Sequence, residues 1–284
     1  MSKKILYSEH TWPEIKEALK AEKVIVLPVG STEDHGPHLP LETDALITTE
    51  ICRRAVEKVP DYALLMPTIY YGFNEHHMDF PGNTSIEPYH FIDFVFDVCR
   101  SVVRHGFKKI IIVNGHGSNA PFLNIVARRV TNEMDAICVA VNWWTMAIDV
   151  IRSILSHASH AGEMETSVML YLKPEIVDMS KAVRDMNIYM GQGRSKFIWR
   201  DFVNPSPVAF MEWWSRFSKT GIVGDPTKAT REKGEKIVKA AVENLVELIK
   251  EWKARKILPR WITVNSPTIF LINFHSDIYY SAFG

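Results

Sequence analysis

Apolar positions along this chain follow two alternating periods. Residues 23–29, 63–69, 109–113 and 136–141 form short runs rich in β-branched side chains, and each reads as a buried strand. Longer stretches with helical spacing lie between and after them, at about residues 44–58, 88–105, 119–131, 163–172 and 227–254. In the third of these, Leu123, Val126, Ala127 and Val130 share one face. In the last, Val238, Ala241, Val242, Leu245, Leu248, Ile249 and Trp252 make a stripe that reads as core or subunit contact. Strands separated by helices of this length need crossover connections, which predicts a mostly parallel sheet covered on both faces. Such a sheet places a ligand site at the carboxyl ends of its strands. Residues 30–44 and 114–119 both follow strand-like runs, so both loops should open on that edge. Residues 181–225 show no clear period, yet hold Tyr189, Phe197, Trp199, Phe202, Phe210, Trp213, Trp214 and Phe217. An aromatic loop of that length is expected to pack against a neighbouring subunit or the mouth of a site.

Composition narrows the partners. A length of 284 residues suits one large α/β domain, and 46% hydrophobic with 23% charged residues suits a globular chain with a large core. Lys plus Arg equals Asp plus Glu at 33 each, so the basic footprint of a nucleic-acid binder is missing. No apolar stretch has the length of a signal peptide or membrane span, which predicts a cytoplasmic protein without a membrane partner. The three cysteines, Cys52, Cys99 and Cys138, lack CxxC spacing and sit in apolar or helix-like runs. They are expected to be buried, reduced thiols and not nucleophiles.

Candidate chemistry concentrates in three segments. Residues 30–44 carry Glu33, Asp34, His35, His38, Glu42 and Asp44 in a stretch broken by glycine and proline. In extended backbone Glu33 and His35 point the same way, so both could reach one or two neighbouring metal ions. Asp44, at a predicted helix start, could bridge two ions or merely cap the helix, and His35 could be a ligand or a satisfied core residue. The second segment, Asn114-Gly115-His116-Gly117-Ser118-Asn119, ends a strand in glycines that allow close approach to a ligand, with His116 a further ligand and Asn119 a helix cap. In the third, His157, His160, Glu163 and Glu165 surround a helix start, where the helix dipole also favours carboxylates. Three such clusters at strand ends or a helix start point to a polynuclear metal site. Trp143 and Trp144, just past a strand, could wall the pocket or sit in the core.

Residues 27–40 with Thr43-Asp44, Asn114-Gly115-His116, the His160-Ala-Gly-Glu-Met-Glu-Thr-Ser167 run and residues 224–235 resemble, in order, the signature segments of the creatininase (creatinine amidohydrolase) family. The resemblance spans about residues 10–255. It implies a three-layer α/β/α subunit with a mostly parallel sheet, one domain over residues 1–255 and an unplaced extension at 256–284. It also implies assembly as a homo-oligomer, commonly a hexamer, and two divalent metal ions: zinc first, manganese or iron otherwise. By position Glu33, His35, Asp44 and His116 are the ligands, with Asp44 bridging, and His160 falls on an active-site histidine.

Departures from the pattern bear on substrate. Creatininase has a metal-binding Glu where this chain has Ser118, a Glu where it has Ser159, and a tryptophan closing over creatinine where it has Ser156. Glu163 stands where creatininase is apolar, so it is expected to supply the missing carboxylate to the metals, and creatinine is not the expected substrate. Glu163 or Glu165 is the expected general base, and His160 the substrate or oxyanion contact. The expected reaction is attack by metal-activated water on the carbonyl of a small amide, cyclic by preference, at a non-peptide C–N bond. Alternatives implied by the family are ring-opening C–C hydrolysis of a cyclic polyol ketone of the diketo-inositol type and formamide hydrolysis in flavin or deazaflavin precursor synthesis. A non-enzymatic, metal-binding assembly subunit would be favoured by missing ligands, and none of Glu33, His35, Asp44 or His116 is missing.

Overall fold

A computed structural model describes residues 4–186, 195–199 and 201–259. After a first helix, α1 (Trp12–Lys20), come strand β1 (Val24–Val29), α2 (Thr43–Lys58), β2 (Ala63–Leu65), α3 (Pro88–His105), β3 (Lys109–Asn114), α4 (Ala120–Glu133) and β4 (Ile137–Asn142). Helices α5 (Ile148–Ile154), α6 (Glu163–Leu172) and α7 (Arg231–Ala254) follow. All four strands are parallel, in the order β2-β1-β3-β4.

Alternation along the strands builds two cores. Val24, Val26, Ile111 and Val113 face α2, α6 and α7, while Ile25, Leu27, Ile110 and Ile112 face α1, α3 and α4. Every side chain of β1 is buried, as a strand covered on both faces requires. The three-layer α/β/α expectation therefore holds.

Two boundaries differ from the apolar pattern, each for a local reason. The run at 63–69 pairs regularly only to Leu65, because Pro67 has no N–H to give; the chain touches the sheet again at Ile69, whose N–H donates to Pro28 O (3.0 Å). Helix α7 starts at Arg231, not near 227, because Pro226–Lys228 makes a separate 3₁₀ turn and the Thr230 hydroxyl accepts from Lys233 N–H (3.3 Å). Helix α1 was not anticipated, although Thr11 and Glu14 form a capping box around Pro13. All three cysteines are buried and unpaired. Among the described residues no helix is long and apolar enough to cross a membrane. Most of the 256–284 extension, from residue 260 on, lies outside the described residues.

Candidate metal centre

The carboxyl edge of β1 and β3 brings the first two sequence clusters together. Glu33 and His35 leave β1 in extended backbone and are both buried. Asp44 sits in the first turn of α2, but its carboxylate does not cap that helix. Instead Asp44 Oδ1 lies 3.1 Å from His35 Nε2, and Oδ2 lies 3.1 Å from His116 Nδ1. His116 is aimed by Asn114 at the end of β3, whose amide accepts from His116 N–H (3.1 Å) and donates to His116 O (2.6 Å). Gly115 is required between them, since a β-carbon there would overlap the Thr48 hydroxyl and come within 2.6 Å of Asp44 O.

These atoms sort into two donor sets that share Asp44. His116 Nδ1 is 3.0 Å from Glu33 Oε1 and 3.1 Å from Asp44 Oδ2. His35 Nε2 is 3.1 Å from Asp44 Oδ1 and 3.6 Å from Glu165 Oε2. Ligand atoms about 2.0–2.2 Å from a tetrahedral ion stand roughly 3.3–3.6 Å from one another, close to these separations. Each imidazole is also turned correctly. His116 Nε2 donates to Phe73 O (3.0 Å) and His35 Nδ1 to Glu33 O (3.2 Å), which leaves the inward nitrogen of each as the lone-pair donor. His160 follows the same rule: Nε2 donates to Asp34 O (2.8 Å) and Nδ1 faces Glu33 Oε1 at 3.6 Å.

Charge makes the same point. Glu33, Asp44 and Glu165 are buried together, and among the described residues no lysine or arginine pairs with any of them. Glu33 Oε1 and Oε2 and Asp44 Oδ2 make no hydrogen bond. Without cations, burial pushes Glu33 up to about 8 and Glu165 up to about 7, although His116 and His35 oppose it. Burial would raise Asp44 too, but His35 and His116 hold it below the usual carboxylate range. Conversely, burial would lower His35 and His116; the carboxylates outweigh it, raising His35 to about 10 and His116 well above its ordinary value. The facing carboxylates thus call for positive charge at these two inward nitrogens, a place that metal ions would take instead of protons. Donor types, spacing and unsatisfied oxygens all fit two divalent cations.

Glu163 lies elsewhere. Its carboxylate pairs with Lys233 Nζ of α7, and it does not line the cavity over the centre. Glu165, one of the two expected bases, occupies the place foreseen for the missing carboxylate, with its Oε2 accepting from Ala161 N–H (2.6 Å). Ala161 takes a left-handed backbone (φ 51°) to aim that N–H, a strained conformation of the kind found at functional loops. Asn119 begins α4 but does not cap it with its side chain. Its amide accepts from Phe73 N–H (3.0 Å) and donates to Gly30 O (2.9 Å), tying two site loops together. Ser118 bonds His76 Nε2 (3.0 Å), Ser159 bonds His157 Nε2 (2.9 Å), and Ser156 is exposed. Trp143 and Trp144 are both buried in the core, and Trp144 also lines the cavity. Tyr189 lies outside the described residues.

Sequence reasoning passed over residues 73–83. His77 Nδ1 donates to Asp34 Oδ1 (2.7 Å), Asn83 steadies that carboxylate, and the ring stacks on Trp214 (4.5 Å) with Nε2 facing Glu33 Oε2 at 3.9 Å. Burial and the neighbouring imidazoles hold His77 and His160 well below the ordinary histidine value. The available signal was the His76-His77 pair in a segment bounded by Gly72 and Pro81-Gly82, just past a strand.

A model of the family described as creatinine amidohydrolase matches residues 8–249. The chain belongs to the creatininase family. It is 30% identical over 271 residues to a creatinine amidohydrolase of Pseudomonas putida, covering 88% of this chain and 98% of that protein. It is 27% identical to a 3-dehydro-scyllo-inosose hydrolase of Thermotoga maritima (87% and 83% covered) and 31% identical to a mycofactocin precursor peptide peptidase of Mycolicibacterium smegmatis (81% and 85%). A solved structure named as the manganese form of creatininase superposes with a TM-score of 0.74 at 28% identity, covering 89% of this chain and all of that one. A zinc-zinc form of a creatininase variant gives 0.73 at 28% identity over the same shares. Creatininase-family members are hydrolases, and this chain is one of them.

Proposed function

We propose that this creatininase-family hydrolase cleaves a non-peptide C–N bond, an amide that is cyclic by preference, with two divalent cations. One would be held by Glu33, Asp44 and His116, the other by His35, Asp44 and Glu165. The observation that carries the reading is the Asp44 carboxylate, which turns one oxygen to each donor set. Zinc, manganese or iron bound there would supply Lewis acidity, both to acidify a water and to polarise a carbonyl. Support for manganese and zinc comes from the two creatininase forms named above.

The chain's own residues do the rest. Phe73 O and Glu33 O fix the tautomers of His116 and His35, so neither ring spends energy reorienting. With Nε2 of His160 committed to Asp34 O, its Nδ1 faces the donor sets as an acceptor and can take a proton from the attacking water and return it to the leaving nitrogen. Glu163, committed to Lys233, has no part in that transfer, and Glu165 serves as a ligand. The reading takes residues 1–255 as one catalytic domain working as a homo-oligomer. The exposed Trp12, Tyr89 and Phe94 offer apolar surface for subunit contacts.

The test is elemental analysis with a hydrolysis assay on lactams, hydantoins and formamides, for the protein as purified, after chelation and after reconstitution. About two metals per chain, with activity lost on chelation and restored by metal, are expected. Hydrolysis undiminished in Asp44→Ala, or by chelation that removes every ion, would sink the proposal.

A further inference from the structure

Above the metal centre the chain builds a chamber far larger than a small cyclic amide fills. The cavity measures about 550 Å³. Glu33, Asp44, His116, His160 and Glu165 form one end of it. Trp144, Trp199, Phe202, Phe210, Met211 and Trp214 give the remainder an aromatic, mainly apolar wall, with Ser118, Asn142, Thr145 and Ser206 set between them. Sites of about 300–1,000 Å³ with apolar walls and a few convergent polar groups enclose ligands of drug size.

The wall is braced. Phe202 stacks on Trp144 at 5.0 Å with planes 25° apart, and Phe202 N–H donates to Ala158 O (2.7 Å). Val203 is buried in the core, and its carbonyl accepts from Arg152 (3.0 Å). A flat surface fixed in this way favours flat groups, because stacking gains little from a group that cannot lie against it. Farther out, Phe210 and Met211 are 38% and 51% exposed, apolar surface that a bound ring would cover.

Charge on the wall argues in the same direction. Among the described residues neither lysine nor arginine lines the cavity, so away from the metal end the wall offers no cationic side chain to a phosphate or a carboxylate. The one acidic group on the wall, Asp201, is already engaged by Val203 N–H (2.8 Å) and Asn204 (3.2 Å), with His157 Nδ1 at 3.6 Å.

We infer that the substrate carries a bulky, flat, apolar group, an aromatic or fused ring, beside its scissile C–N bond, and that Trp144, Trp199, Phe202, Phe210 and Trp214 select for it. This rests on the amide-hydrolase reading and names its substrate class. Specificity then comes from the aromatic wall and chemistry from the metal end.

Matched probes test it on the metal-loaded full chain: N-(2-naphthyl)formamide against N-methylformamide, and 5-benzylhydantoin against hydantoin. Binding is followed by tryptophan fluorescence and turnover by product release. The aryl member of each pair should bind at least about 100-fold more tightly, since one methylene alone is worth about 10–200-fold in a fitted apolar pocket. In a Trp199→Ala/Phe210→Ala variant that still holds its metals, the ratio should fall at least tenfold. Equal binding of both members, or an aryl preference unchanged in the variant, overturns the inference. Aryl-selective binding without turnover of any probe keeps the inference and overturns the amide-hydrolase reading instead.

Discussion

Glu163 and Glu165 offer a sharp test, because they are near neighbours with opposite expected effects. Glu165→Gln keeps the side chain's shape and can still accept from Ala161 N–H, but removes the negative charge facing His35 Nε2 at 3.6 Å. The fold should tolerate this, since burial already disfavours that charge, raising the carboxyl to about 7. Metal binding should not. Loss of an outer-shell partner costs about 10–100-fold in metal affinity, so loss of a charged ligand should cost at least about 100-fold, or about 2.7 kcal/mol. Glu163→Gln breaks only the partly exposed pair with Lys233, worth about 1 kcal/mol and about 2–4 °C in Tm. Its metal content should stay at the parent level. Elemental analysis after dialysis against graded free zinc, with Tm measured alongside, separates the two. Equal metal loss in both variants, or parent-like affinity in Glu165→Gln, would refute the assignment of Glu165 to the second donor set.

Three further outcomes follow from the loops that hold the site. Asn119→Ala strips half-buried Phe73 N–H and buried Gly30 O of their partners, at about 1–3 kcal/mol each, so Tm should fall by about 4–24 °C; a change under about 1 °C would count against the tie between these loops. Gly115→Ala forces a β-carbon against Asp44 O and the Thr48 hydroxyl, and should cost about 1–3 kcal/mol while lowering bound metal by displacing His116; parent-like metal content at parent Tm would contradict it. His38 is buried with Nδ1 unpartnered and Nε2 on Thr166 Oγ1 (2.9 Å), and burial, with the charge of His35, holds it down to about 4. The unfolded chain binds that proton first, so stability should fall as pH drops from about 6.5 towards 4, by up to about 1.4 kcal/mol per unit. Tm against pH should be flatter over that window in His38→Gln, and parallel curves would show that His38 is not the group responsible.

Much of this arrangement was legible because its signals are local. A β-branched run is buried whatever lies beside it, and a Gly-His turn after such a run opens on the sheet's carboxyl edge, as His116 does. The positions of Glu33, His35 and Asp44 needed only the two-residue period of extended chain and a helix start. Trp143 and Trp144 could not be sorted by sequence, since the chain turns into a 3₁₀ segment at Trp143, both rings are buried in the core, and Trp144 alone of the two also reaches the cavity. His77 escaped notice because its segment has no period and the carboxylate that orients it, Asp34, is 43 residues away in the chain.

The exchange of Glu163 for Glu165 has a different origin. Residues two apart on a helix point about 200° apart, so only one of the two can face His35, and sequence alone does not set the phase. Packing of α6 on α7 does. Gly234 lets the two backbones meet, since a β-carbon there would drive into Ser167 O. Thr230 N–H donates to Ser167 Oγ (3.1 Å), and that hydroxyl in turn donates to Glu163 O (2.6 Å). With the contact pinned, Glu163 faces α7 and meets Lys233, and Glu165 is left facing the metal centre. Which of the two carboxylates faces His35 is set by a glycine 69 positions from Glu165 in the chain. The run from His160 to Ser167 and the segment from Gly224 to Glu235 therefore act as one unit, with the second segment setting the rotation of the helix that the first begins.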